Sequence, residues 1–230
     1  MSRRQTIGLT TILTACLMLA LNAVASAETI GFGTALPNGE QDTQSDGNSN
    51  QMRQNINITD TVVLQPGIYI ATSWSYNAAP DATNGATQPV FPFLTAVNGP
   101  ANHTVLAFGA TIDTEPGVNS GVAFGGANNI FTLLVPTTIA AGVQNTNADS
   151  VQNSILTDTA FGRTDHANSG NVDEASSVGA TLDSFGHANL GRTYGFSIEV
   201  EPIPEPSTLV LGLLALLGLM GAALRRRRAR

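Results

Sequence analysis

Short stretches in which apolar and polar residues alternate, separated by Gly, Asn and Pro, dominate the middle of the chain. Ile56, Ile58 and residues 62–64 form one such stretch, and residues 68–74 follow Pro66-Gly67 as the second arm of a predicted hairpin. Since no stretch of this region has apolar residues at helical spacing over three turns, the pattern predicts an all-β fold, an antiparallel β-sandwich of jelly-roll type. Further strands are predicted at 28–36, 90–97, 104–112, 118–124, 129–135, 137–143 and 193–200, and a weaker one near 152–157.

Prolines and polar segments interrupt this pattern at three places. Pro92 has no backbone N–H to donate, so the strand at 90–97 is predicted at a sheet edge or at a bulge. Residues 37–55 are polar and rich in turn-forming types, which predicts a long loop. Residues 144–192 are polar and ambiguous, and the sequence assigns them little structure beyond the weak strand near 152–157.

The N-terminal residues have the three parts of a secretory signal peptide. Arg3 and Arg4 are basic, residues 7–24 are mostly apolar, and Ala25-Ser26-Ala27 is a small-residue cleavage site. We therefore predict a signal peptide at 1–27, handled by the general secretion machinery and signal peptidase, and a mature chain that begins at Glu28. Cys16 lies in a lipobox-like context, but the apolar residues 17–21 that follow it are unlike a lipoprotein tether, so it is interpreted as an ordinary signal-peptide residue.

The C-terminal residues predict one membrane-spanning helix. Residues 207–224 are uncharged and mostly apolar, and as a helix they would extend about 27 Å, enough to cross the hydrocarbon core of a bilayer. A helix pairs all of its backbone polar groups internally, as a lone segment in lipid must. Basic flanks resist translocation, so the end of the chain is predicted in the cytoplasm, with a single pass through the inner membrane. The basic residues are Arg225, Arg226, Arg227, Arg228 and Arg230.

Pro204-Glu205-Pro206, the apolar run and the arginine cluster follow one another in an order that resembles the PEP-CTERM sorting signal, a segment also called the ice-binding protein C-terminal domain. The resemblance implies that an exosortase, a membrane cysteine protease, recognises Pro204, Glu205 and Pro206 and cuts nearby. It further implies that residues 209–224 are a transient anchor and residues 225–230 a stop-transfer cluster. An ordinary C-terminal anchor with a proline-rich stalk is the plainer alternative.

Three segments follow from these assignments: the signal peptide at 1–27, an extracytoplasmic domain at 28–201 and the sorting signal at 202–230. The domain is long enough to bury a core, and its chain has no cysteine. Residues 28–206 contain three arginines, no lysine and seventeen acidic residues, which gives a net charge of −14. Such a surface repels phosphate, so nucleic acid is excluded as a partner and attachment to anionic lipid is disfavoured.

No constellation of residues predicts catalysis, a metal site or another cofactor, and we predict that the chain is not an enzyme. Asp183, Ser184 and His187 are close in sequence, but sequence proximity is not the geometry of a catalytic triad. The acidic pairs Asp113 with Glu115 and Asp173 with Glu174 are interpreted as solvated side chains. The histidines are isolated and flanked by turn residues, so they are interpreted as exposed loop residues rather than ligands: His103, His166 and His187.

Calcium is the one ligand that the sequence leaves open. Residues 46–50, Asp-Gly-Asn-Ser-Asn, offer oxygen ligands at alternating positions, as the start of an EF-hand loop does. Gln51 and Asn57 stand where the remainder of that motif would have glycine and glutamate. The preferred interpretation is a solvated turn.

We therefore expect an exported structural or interaction protein of the cell envelope, anchored briefly in the inner membrane with its body in the periplasm and then sorted to the cell surface or the medium. The resemblance implies a biofilm matrix destination, with exopolysaccharide as a partner, because such signals are typical of exopolysaccharide-producing bacteria. The alternative is a carbohydrate- or surface-binding module that stays anchored. It would use the aromatic group of Tyr69, Trp74 and Tyr76, although Trp74 is interpreted as a core residue.

Overall fold

The computed structural model describes residues 26–35, 40–42, 52–78, 89–99, 101–145, 153–158, 165–170, 175–183, 187–188 and 193–204, together with positions 212, 215, 218 and 219. Two compact units divide the chain. One consists of Ala27–Glu201, and the other combines Met1–Ser26 with Pro202–Arg230. Every regular element bounded in the first unit is a β-strand, so the all-β prediction is confirmed.

The first antiparallel sheet is built around the long strand β4, which has two partners along each of its edges. Strands β9 and β8 pair with successive halves of one edge, while β16 and β11 lie along the other. Strand β1 extends the sheet beyond β16, and β15 and β2 extend it beyond β11. The strands are β1 (Glu28–Gly31), β2 (Glu40–Asp42), β4 (Gly67–Ala78), β8 (Gly117–Ala123), β9 (Ile130–Leu133), β11 (Asn153–Asp158), β15 (Thr193–Tyr194) and β16 (Phe196–Ile203).

The second antiparallel sheet has the order β13-β6-β5-β10-β3-β12-β14, with β7 beside β5. Its centre is the pairing of β10 with both β5 and β3. The strands are β3 (Met52–Leu64), β5 (Pro89–Gly99), β6 (Asn102–Phe108), β7 (Ile112–Asp113), β10 (Thr137–Asn145), β12 (Asp165–Gly170), β13 (Thr181–Leu182) and β14 (His187–Ala188).

Both sheets contribute to one buried apolar cluster, here called the inner core. Trp74, Tyr76 and Phe196 enter it from the first sheet, and Leu94 and Ile139 enter it from the second. Side chains alternate across a strand, so a strand that packs on this core buries about every second residue, as Phe131 and Leu133 of β9 show. Burial of these aromatic and branched side chains is the main source of stability for the body.

A second cluster, the outer cluster, covers the other face of the second sheet. Phe91 and Phe93 of β5 pack there with Val105, and Ala175 and Leu182 from the segment 175–182 complete it. The run from Val90 to Ala96 is buried without interruption because β5 has apolar neighbours on both faces. This explains why β5 reads as a continuous apolar stretch rather than an alternating one.

The hairpin predicted at Pro66-Gly67 is wrong, although both of its strands exist. Strand β3 pairs with β10 and β12 in the second sheet, while β4 pairs in the first sheet. The two residues between them, Gln65 and Pro66, therefore carry the chain from one sheet to the other. Two-residue hairpin loops favour primed turns, which need a positive φ at the first central residue, and Gln65 is not a residue type that adopts one readily.

Pro92 lies in a central strand, so the sheet-edge alternative predicted for the strand at 90–97 is wrong, whereas the irregular pairing around it agrees with the predicted bulge. Strand β5 pairs with β10 on one side and with β6 and β7 on the other. On the β6 side, however, the ladder is interrupted between Phe93 and Val90, where the Pro92 carbonyl accepts a hydrogen bond from the Gly109 N–H at 2.8 Å. The missing N–H of proline is tolerated because the ladder breaks at that position.

The polar segment 144–192 contains more structure than its sequence predicted. The weak strand near 152–157 corresponds to β11, and β12, β13 and β14 were not predicted. Strands β12 and β14 pair with each other, with His166 opposite Ala188 and Ala167 opposite His187. Short polar strands of two to six residues give little periodicity, so their sheet partners rather than their own residues define them.

The predicted helix 207–224 lies mostly outside the described residues. At Gly212, Ala215, Gly218 and Leu219 the backbone is helical and the residues are exposed. Within the part of the chain that the structure describes, no helix is long and apolar enough to cross a membrane. The signal peptide prediction likewise falls outside the described residues, except for its last two positions.

Candidate functional site at the chain ends

The first and last strands of the body are neighbours in the first sheet. Strand β1 pairs antiparallel with β16, and the register places Glu28 opposite Val200 and Gly31 opposite Ser197. The predicted mature N-terminus therefore lies beside the strand that leads into the sorting signal. Ile30, Ile198 and Val200 are fully buried in the inner core, so both strands are anchored by apolar packing as well as by the ladder.

Gly31 ends β1 in a conformation that only glycine adopts readily. Its φ is +104°, and a Cβ at this position would lie 2.8 Å from the Phe196 carbonyl oxygen. The chain then turns so that the Gly33 N–H also donates to that oxygen, at 3.0 Å. Close approach of the two backbones therefore requires a residue without a side chain at position 31.

Side-chain hydrogen bonds reinforce this pairing at the surface and across the sheet. The Thr29 hydroxyl donates to a Glu199 carboxylate oxygen at 2.7 Å. The Thr72 hydroxyl of β4 donates to the Glu199 carbonyl at 3.4 Å. A backbone bond adds to this, since the backbone N–H of Asn77 donates to the Gly195 carbonyl at 2.8 Å. Because later residues of β4 meet earlier residues of β16, these two strands run antiparallel.

The residues predicted for processing fall at the ends of this strand pair. Ala27 and Glu28 are exposed, and Ala25 lies outside the described residues. Strand β16 ends at Ile203, and Pro204 follows it as an exposed residue without regular structure. Glu205, Pro206 and the arginines at 225–228 and 230 lie outside the described residues.

A family model described as the PEP-CTERM protein-sorting motif matches residues 202–228. The chain carries a PEP-CTERM sorting motif. The resemblance that the sequence predicted is therefore confirmed, and its match begins inside the last strand of the body. Such a motif implies an exported protein that is held at a membrane before an exosortase processes it.

Comparison with curated proteins and with solved structures assigns no further function to the chain. No curated protein matches the sequence. Among solved structures, the infectious bursal disease virus Gx strain structure is similar with 11% identity and a TM-score of 0.27, covering 80% of this chain and 41% of the viral chain. This chain thus spans less than half of the viral chain, and a TM-score of that size supports no argument about fold or function.

The alternative in which Tyr69, Trp74 and Tyr76 form a sugar-binding platform is wrong, because all three rings are buried. Trp74 is 0% exposed, Tyr76 2% and Tyr69 8%. Trp74 and Tyr76 do share a face, with ring centroids 4.5 Å apart. In a regular strand Tyr69 would lie on the face opposite Trp74, but the burial alternation of β4 slips by one residue at Thr72 and Ser73. That slip lies between the part of β4 that pairs with β9 and the part that pairs with β8, and it turns all three rings inward.

His103 is fully buried in β6, so its interpretation as an exposed loop residue is wrong. Its Nδ1 lies 3.3 Å from the hydroxyl of Thr95, which is also buried. The side chains of His166 and His187 lie outside the described part of the structure, although their backbones belong to β12 and β14. Asp113, Glu115 and Asp183 are exposed.

The described ranges contain no group of three His, Cys, Asp or Glu residues that could hold a metal ion. The calcium candidate at 46–50 lies outside those residues, as do Ser184, Asp173 and Glu174. The prediction of no cofactor therefore stays a prediction.

One exposed apolar turn was missed by the sequence reasoning. Residues 129–135 were predicted as one strand, but β9 ends at Leu133, and Leu134 and Val135 project into solvent with 86% and 63% of their surfaces exposed. The signal that could have revealed this is Pro136, which directly follows three consecutive apolar residues and favours a turn.

Proposed function

We propose that this chain is an exported, non-enzymatic protein of the cell envelope that residues 207–224 hold in the inner membrane until an exosortase cuts at Pro204-Glu205-Pro206. The observation that carries the proposal is the sorting-motif match at 202–228, which begins within the last strand of a compact body. The folded body is then the product that processing releases or transfers.

The chain supplies the substrate segment, and the protease supplies the chemistry. Strand β16 ends at Ile203, and the prolines at 204 and 206 have no N–H with which to extend its ladder further. The register from Glu28 to Gly31 with Ser197 to Val200 holds the preceding residues in place. The motif therefore follows directly after a strand that the body holds in place, and its prolines favour the extended conformation that we propose the protease binds.

The architecture that we propose for the body is a β-sandwich of jelly-roll-like type. The shared inner core supports it, as do two connections, β3 to β4 and β9 to β10, that pass from one sheet to the other. The proposed destination is the extracellular matrix, with exopolysaccharide as the partner there. The net charge of −14 on residues 28–206 supports solubility outside the cell.

Intact-mass analysis of the protein recovered from wild-type and exosortase-deleted host cells tests the proposal. In wild-type cells we expect a species that begins at Glu28 and ends near Pro206, and in the deletion strain a species that continues to Arg230. The variant Glu205→Ala with Pro206→Ala should give the longer species even in wild-type cells, because the recognition residues are gone.

A matched control is available within the body. Glu115-Pro116 is an exposed Glu-Pro pair far from the tail in sequence, and the contacts made by residue 115 use its backbone N–H and carbonyl. Replacing both residues by Ala should therefore leave the tail processing unchanged. Retention of the tail in wild-type cells would contradict the sorting role and leave a simple anchored envelope protein.

A further inference from the structure

Exposed apolar side chains gather on two turns at one end of the body. We call this group the apolar tip and define it as Val63, Pro66, Leu134, Val135 and Pro136. The exposed fraction is 57% for Val63, 86% for Leu134 and 63% for Val135, and both prolines are exposed. The turns lie together because β3 and β10 pair at Leu64 and Thr137, while β4 and β9 pair at Gly67 and Leu133.

The two turns are held in place by the residues around them. Leu64 and Leu133, which flank the exposed residues, are buried in the inner core. The Tyr69 hydroxyl donates to the Gln65 carbonyl at 2.8 Å, and the Thr137 hydroxyl donates to the Val135 carbonyl at 2.8 Å. The apolar tip is therefore a supported feature of the fold whose apolar surface has no cover within the described body.

The chain enters and leaves the body at this same end. Strand β16 runs antiparallel to β4, so Glu201 lies toward the beginning of β4, where Gly67 adjoins the tip. Strand β1 runs antiparallel to β16, so Glu28 also lies at this end. Five residues lie between Glu201 and Ser207, where the predicted anchor begins, and the six residue-to-residue steps reach at most about 20 Å when extended.

Charge distinguishes the tip from the remainder of the body. Residues 61–80 and 116–148, which contain the tip, the end of β3 and all of β4, β8, β9 and β10, have no charged side chain, in a body with a net charge of −14. Asp60 of β3 is the charged residue that directly precedes the first of these stretches. Inserting an uncharged apolar turn among lipid headgroups does not require desolvation of a charge. A short tether raises the effective concentration of the tip at the bilayer, so even a weak apolar contact is populated while the anchor is in place.

We propose that the apolar tip docks into the surface of the lipid bilayer while the protein is anchored. This inference rests on the proposed anchoring by residues 207–224. Docking would fix the distance of Glu201 from the bilayer surface. It would thereby also position the sorting motif, which follows Glu201, relative to the membrane-embedded protease. Glu28 and Glu201 are exposed at this end of the sheet, so anionic lipid should weaken the docking.

Site-specific fluorescence on the full chain tests this docking. The only cysteine is Cys16, so variants with Cys16→Ser and either Leu134→Cys or Val118→Cys carry one thiol for an environment-sensitive nitrobenzoxadiazole label. Val118 is the matched control because it is 60% exposed and pairs with Asn77 at the opposite end of β4. In vesicles of zwitterionic phosphatidylcholine, the label at position 134 should shift to shorter wavelength and be quenched by spin-labelled lipid, while the label at 118 should do neither.

The experiment distinguishes a failure of docking by the apolar tip from a failure of anchoring by residues 207–224. If the protein resists carbonate extraction from the vesicles but both labels report water, docking is excluded and the anchor stands. If the protein is extracted by carbonate, the proposed anchoring itself fails. A blue shift at position 134 that requires added exosortase would show a protein partner and overturn the lipid assignment. Reduced quenching at position 134 as phosphatidylglycerol replaces phosphatidylcholine would support docking, and stronger quenching would contradict the charge argument.

Discussion

The two faces of the second sheet are buried in different ways. Its inner face packs against another complete sheet, and the inner core contains large rings such as Trp74, Tyr76 and Phe196. Among the described residues, its outer face is covered by the short segment 175–180, which contributes Ala175, and Leu182 of the adjoining edge strand β13 adds its side chain. The inner core therefore depends on sheet-to-sheet packing, whereas the outer cluster depends on how firmly a short cover is attached.

The segment that covers the outer face is attached by one polar side chain and by backbone hydrogen bonds. The buried Gln144 side chain accepts a hydrogen bond from the Ala175 N–H at 3.0 Å, and backbone bonds join Val105 to Ala180 and Gly179 to Val105. Thr95 and His103 form a further buried polar contact. The two clusters should therefore respond differently to mutation. Changes in the inner core should lower the stability of the whole body, and changes in the outer cluster should also open it locally.

The largest effect is expected for Trp74→Ala. This change removes a fully buried ring from the inner core and should lower the free energy of unfolding by about 3–5 kcal/mol. Urea denaturation followed by circular dichroism measures the loss, and Val118→Ala, at a position 60% exposed, is the control expected to stay near wild type. A loss below that of the exposed control would contradict the assignment of Trp74 to the core.

A steric conflict in the outer cluster should have the next largest effect. A Cβ on Gly142 would lie 2.2 Å from Cζ of Phe93, with two other ring carbons within 2.8 Å. The ring must therefore move in Gly142→Ala, and overpacking of this kind costs roughly 1–3 kcal/mol. Adding Phe93→Leu to Gly142→Ala should recover part of the stability in a double-mutant cycle, and strictly additive losses would show that the two positions do not conflict.

Gln144→Ala tests the attachment of the cover. The Ala175 N–H loses its acceptor, and we expect a loss of about 1 kcal/mol together with faster hydrogen exchange across residues 175–183. Gln65→Ala is the control, since Gln65 is exposed and its hydrogen bond to Tyr69 uses the backbone carbonyl. Uniform acceleration of exchange throughout both sheets would contradict a local role.

The sorting motif could be predicted from sequence because its parts are adjacent in the chain and act as a linear signal. Most strands could also be predicted, since alternation is a local property. The pairing of β3 and β4 in different sheets could not, because Pro66-Gly67 is compatible with either a hairpin or a crossing. His103 was misplaced because it lies just before the strand predicted at 104–112 and follows Asn102, which suggests a turn. Its burial depends on residues far along the chain, among them the segment 175–182, which sequence periodicity does not connect to it.

The smallest effect is expected for Trp74→Phe, which tests whether the indole N–H of Trp74 makes a hydrogen bond in the inner core. Among the described residues, the buried Trp74 Nε1–H has no hydrogen-bond acceptor. Phenylalanine removes that unsatisfied donor while it keeps an aromatic ring beside Tyr76, so a small cavity is offset by a lost desolvation penalty. We expect a change below about 1 kcal/mol in urea denaturation. A loss as large as that of Trp74→Ala would show that the indole N–H has a partner, and the inner core would then depend on a polar contact, as the outer cluster does.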